Sequence, residues 1–109
     1  MTATNAAVPA RELPFHLRGN YAPVFEEVSA AADALVVEGS LPPELNGLYL
    51  RNGPNPHTGR SGHWFMGDGM VHGVRLQGGK ALWYRNRWIR SNAVSTALGE
   101  PPAPGPRAE

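Results

Sequence analysis

Apolar and polar positions are distributed unevenly along this chain, and one stretch carries most of the pattern. It begins at Gly47-Leu-Tyr-Leu-Arg-Asn-Gly-Pro-Asn-Pro56, continues through His63-Trp-Phe-Met-Gly-Asp-Gly-Met-Val-His72 and ends at Trp83-Tyr-Arg-Asn-Arg-Trp-Ile-Arg90. Short apolar runs divided by glycines and turn formers predict strand, turn and hairpin here. Met70 to Gln77 and Lys80 to Arg90 read as the two arms of a hairpin, because Gly78-Gly79 is a two-residue loop signal. Counting back from that loop sets Gln77 against Lys80, Val74 against Trp83 and His72 against Arg85. Met70, His72, Val74, Leu76, Ala81, Trp83 and Arg85 then share one face, and Val71, Gly73, Leu82 and Tyr84 the other. Both faces are mixed, which suits a sheet enclosed by other sheets.

Upstream the signal weakens. Phe25, Val28, Ala32 and Leu35 fall at helical spacing and predict a short helix over 25–34. Leu35-Val-Val-Glu38 is a β-branched run ended by Gly39, hence a short strand. Pro42-Pro43 starts a single helical turn, and Asn46-Gly47 supplies the positive-φ step that closes it. Leu48-Tyr-Leu50 is a second strand, broken by Asn52-Gly-Pro-Asn-Pro56, where two prolines oppose further ladder pairing. Residues 57–62 form a surface loop. In Gly67-Asp68-Gly69 the glycines provide unusual backbone angles around an Asp that accepts from backbone N–H groups.

The ends change the picture by subtraction. Residues 1–22 read as a mobile N-terminal arm and 92–109 as a Pro/Gly-rich linker or truncated end, leaving 23–91 as the structured part. About 65 residues are marginal for a core without disulfides or metal. Cysteine is absent, so there is neither a disulfide framework nor a thiolate site. No signal peptide or membrane-spanning run is legible, and a cytoplasmic location is the expectation.

Net charge is +1, but the charges are sorted. Between Gly19 and Leu50 every charged residue is acidic (Glu26, Glu27, Asp33, Glu38, Glu44), whereas between Arg51 and Arg90 only Asp68 offsets seven bases. Two halves solvating different edges of a larger β structure account for this better than a nucleic-acid surface, since no dense Lys/Arg block occurs.

His57, His63 and His72, with Asp68 among them, raise a metal site, yet their spacing fits no compact ligand pattern. His16 reads as a solvated or packing side chain, and His63, ahead of Trp64-Phe65, as a packed or hydrogen-bonded one. With Arg85 opposite, His72 is expected to favour its neutral form. Neither a phosphate loop nor a nucleophile elbow is present. The strand from Trp83 to Arg90 combines aromatic and basic residues that could stack bases, though aromatic packing with exposed arginines explains it more simply.

Taken in order, LPPELNGLYLRNGPNP, HWFMGDGMVHGV and YRNRWIRS resemble the N-terminal region of the carotenoid cleavage dioxygenase family, which includes lignostilbene-cleaving enzymes. Asn20-Tyr-Ala-Pro-Val24 is similar as well, so the resemblance covers about residues 20–91. It implies an all-β fold, the N-terminal fragment of a seven-bladed β-propeller, with irregular ends. It also implies a non-haem Fe(II) centre held by four histidines, cleaving a conjugated C=C bond of an apolar polyene or stilbene with O2 to give two carbonyl products. The first of those histidines lies in an Ala-His-Pro context that this sequence lacks, so by resemblance the iron ligands lie beyond Glu109 and no catalytic or metal residue is assigned here. Arg51, Asn52, Gly53, Pro54, Asn55, Pro56, His63, Trp64, Phe65, Gly67, Asp68, Gly69 and His72 are assigned instead to the family's structural motif.

The expectation is therefore an N-terminal piece of such an enzyme, from a truncated gene model or as a genuine fragment. Alone it should bind no iron, lack activity and fold poorly. A peripheral membrane contact for substrate uptake is a further expectation, and no nucleic-acid partner is expected. The alternative is a small non-enzymatic β module binding nucleic acid or protein through Arg85, Arg87, Trp88 and Arg90.

Overall fold

A computed structural model of the chain describes residues 13–105. Four strands form one sheet: β1 (Ser29–Ala31), β2 (Gly47–Pro54), β3 (Gly69–Gln77) and β4 (Lys80–Trp88), in the order β1-β4-β3-β2. The hairpin of β3 and β4 is where the diglycine signal put it. Gly78 and Gly79 have φ of +59° and +79°, the two positive values that a tight loop between twisted strands requires.

The register differs from the count made from that loop. His72 meets Tyr84, not Arg85, with its Nδ1 2.6 Å from the phenol oxygen. Gly73 lies under Trp83 and Leu50, on the opposite face. A one-residue offset in pairing exchanges the faces of a whole strand, and the count had assumed an uninterrupted ladder. On one face are thus Arg51, His72 and Tyr84; on the other are Leu50, Gly73, Trp83 and Arg85, the last stacked over Trp83 at 4.3 Å.

Three further local expectations give way to tertiary pairing. Residues 25–34 form no α-helix. Ser29–Ala31 is strand β1, antiparallel to β4 with Ser29 opposite Arg85 and Ala31 opposite Trp83, followed by a 3-10 turn at Ala32–Ala34. The helical spacing there was weak, and the offer of a strand edge outweighs it. Leu35–Glu38 is not a strand: no neighbour pairs with it, and Val36 is 88 % exposed. β2 does not stop at Leu50 but runs on to Pro54, the prolines falling at its end and beyond. The turn at 42–45 is present, closed by Leu45 N–H to Pro42 O at 3.2 Å, and Gly47 has the expected positive φ.

After β4 a helix, α1 (Asn92–Leu98), occupies part of the segment read as linker. Ser91 caps it by accepting from the Val94 N–H, and Gly99 at φ +73° ends it with its N–H turned back to the last carbonyls. Arg90 pairs with Glu100 across it at 2.9 Å, and Val94 is fully buried. No helix among the described residues is long and apolar enough to cross a membrane.

The chain divides into two compact units. One comprises the described parts of Met1–Phe25, Pro54–Gly69 and Trp88–Glu109; the other is Glu26–Gly53 with Met70–Arg87. In the first, 3-10 turns at Phe15–Leu17 and Gly19–Tyr21 bury Leu17 and stack Phe15 and Tyr21 around Trp64, with ring centroids 5.7 and 4.7 Å away. Residues 1–12 of the predicted N-terminal arm lie outside the described residues. In the second unit Met70 is fully buried.

Candidate functional site

The motif residues from Pro54 to Gly69 build a polar corner in the first unit, and Asn55 is its centre. Its side chain bridges the backbone of Val24 in both directions: Oδ1 accepts from the Val24 N–H at 2.8 Å and Nδ2 donates to the Val24 carbonyl at 2.9 Å. An amide that pairs with a peptide in this way acts as one extra rung of a ladder. The backbone of Asn55 is bonded too, its N–H donating to Asp68 O at 2.7 Å and its carbonyl accepting from Trp88 Nε1 at 2.8 Å. Asn55 and Trp88 are both buried, so these bonds replace water that is absent.

Asp68 holds the next residue but one along the corner. Its Oδ2 accepts both the backbone N–H of His57 at 2.8 Å and the ring Nδ1 at 2.6 Å. The expectation that Asp68 would accept from backbone N–H groups is met, across the corner and not within its own turn. The glycines beside it act differently from expectation, since Gly67 has φ −79° and Gly69 is not among the positive-φ residues. Gly67 is needed for close approach: a Cβ there would lie 2.9 Å from Pro54 Cβ, 3.0 Å from Pro56 Cδ and 3.1 Å from Asn55 N. The sequence signal was real, but its cause is steric room.

His63 caps the 3-10 turn Trp64–Met66, its Nδ1 accepting from the Phe65 N–H at 3.2 Å, and Phe65 is exposed. His16 places Nε2 3.1 Å from the Ser61 carbonyl. In the second unit, His72 shares its hydrogen bond with Tyr84, and its pKa falls below the ordinary 6.5. Burial is the main cause and the Arg51 guanidinium the second. The neutral imidazole was foreseen; its cause was not, because Arg51 stands where Arg85 was expected. Two side chains whose structural role the sequence does not signal organise the same sheet, Arg87 having been read only as part of a binding surface. Asn86, buried, accepts from the Val28 N–H through Oδ1, and Arg87 donates to the Val28 carbonyl at 2.9 Å and to Ser29 Oγ at 2.7 Å. These bonds span nearly sixty positions, and no local pattern signals them.

The chemistry open to this arrangement is limited. Iron of the kind the resemblance implies needs several converging imidazoles with open positions beside them. Here His57 is tied through Nδ1 to Asp68, His63 to a backbone N–H and His72 to Tyr84, and among the described residues no three His, Asp or Glu side chains gather as a cation site. The residues present do not fit the metal. A basic-aromatic surface fares no better. Trp88 is buried with its indole N–H bonded, Arg87 is engaged by β1, and Arg90 by Glu100, so only Arg85, lying on Trp83, resembles the stacking strand of the alternative reading.

Comparison with known proteins gives this architecture its place. The family model described as retinal pigment epithelial membrane protein (RPE65) matches residues 21–99. A carotenoid cleavage oxygenase of Mycobacterium tuberculosis is 52% identical over 101 residues, which is 90% of this chain and 20% of that protein. The carotenoid 9,10(9',10')-cleavage dioxygenase 1 of Arabidopsis thaliana is 47% identical over 85 residues, 75% of this chain and 15% of that protein. Among solved structures, lignostilbene dioxygenase of Pseudomonas brassicacearum superposes with a TM-score of 0.64 at 27% identity, covering 85% of this chain and 20% of its own. Cobalt-substituted ACO of Synechocystis does so with a TM-score of 0.58 at 29% identity, covering 71% of this chain and 16% of its own. The chain thus spans only 15% to 20% of the length of these relatives. By the match over residues 21–99, it belongs to the RPE65 family, the family of the carotenoid cleavage oxygenases.

Proposed function

We propose that this chain serves as the N-terminal part of a non-haem Fe(II) dioxygenase that cleaves a conjugated C=C bond of a carotenoid, apocarotenoid or stilbene. In that reaction each carbon of the double bond takes one atom of O2, so one alkene and one O2 become two carbonyl groups with nothing else consumed. The observation that carries the reading is 52% identity to a carotenoid cleavage oxygenase across 90% of the chain. The iron would be held by histidines outside these 109 residues, and this chain alone would be inactive. Its own residues would do structural work. Asn55, Gly67, Asp68 and Trp88 would fix the corner from which a seven-bladed propeller is entered, and the four-stranded sheet has the strand number of a propeller blade. A cytoplasmic location and a peripheral contact with the membrane that stores apolar polyenes belong to the same proposal.

The test is to express the gene with all the coding sequence that follows the Glu109 codon, load the product anaerobically with Fe(II), and supply a carotenoid, an apocarotenal or a hydroxylated stilbene with O2. Two carbonyl products in equal amounts, each carrying one 18O from labelled O2, are expected. Substrate recovered intact with all three would refute the proposal.

A further inference from the structure

We draw no further inference here: the strongest candidate, the apolar patch of the first unit in which Phe15 and Tyr21 stack around Trp64 on the 3-10 turn that also exposes Phe65 and Met66, carries nothing because nothing in the structure shows what covers it.

Discussion

The corner at Asn55 and the strand β2 that precedes it are neighbours in sequence and opposites in how they meet water. At the corner nearly every polar group has a partner: Asn55 alone takes part in four hydrogen bonds, to Val24 twice, to Asp68 and to Trp88. Along β2 three consecutive large apolar side chains stand more than half exposed, and among the described residues no carboxylate pairs with the arginine that follows. Buried polar networks specify one geometry and tolerate little change, whereas exposed apolar edges are indifferent to change until something covers them. One region is therefore satisfied within this chain, and the other leaves apolar surface exposed.

Substitutions sharpen that contrast, and the largest effect belongs at its centre. Asn55→Ala strands the Val24 N–H and carbonyl and should cost about 3 kcal/mol in urea unfolding followed by Trp fluorescence. A loss below the error of the midpoint would show that the corner is dispensable. Gly67→Ala pushes a methyl group into Pro54 and Pro56 and should cost about 2 kcal/mol. Because the φ of Gly67 is ordinary, relief of backbone strain cannot offset the clash with Pro54 Cβ, Pro56 Cδ and the Asn55 N, and an unchanged urea midpoint for Gly67→Ala would mark the steric account as wrong. Asp68→Asn keeps the shape but weakens both bonds to His57. Because the pair is about a quarter exposed, about 1 kcal/mol is expected, with His57→Ala adding little to it.

The smallest effect is a pH dependence in the second unit. His72 has a folded pKa below 6.5, so between those two values the unfolded chain binds more protons than the folded one. Stability from this group is complete above about pH 6.5 and is lost as the pH falls through the folded pKa. His72→Gln should flatten that part of the profile measured by urea midpoints at a series of pH values; an unchanged slope would place the titration elsewhere.

What the sequence revealed depended on the range of the interaction that decided each element. The Gly78-Gly79 loop is decided by two residues' backbone angles and was legible, as was the turn at 42–45 that precedes Gly47. The register beyond the loop was not, because a single offset that no residue type announces moved His72 from Arg85 to Tyr84. Helical spacing over residues 25–34 lost to a strand partner more than fifty positions away. Asn55 and Asp68 were recognised as motif residues, but the turn chemistry read into them was local, while their bonds reach Val24, His57 and Trp88. Asn86 carried no signal, since an asparagine inside a strand looks unfavourable until the Val28 peptide it bonds is in view.

The central claim is that the histidines of this motif hold the chain's own architecture and not a metal ion. Anaerobic titration of the 109-residue chain with Fe(II), followed on the ring nitrogens of His57, His63 and His72 by 15N NMR, tests it most directly. The account predicts resonances for the Nδ1 bonds to Asp68, the Phe65 N–H and Tyr84 that persist through a stoichiometric addition of metal. Saturable broadening of two or more of these rings at one equivalent, abolished by His57→Ala or His72→Ala, would contradict it.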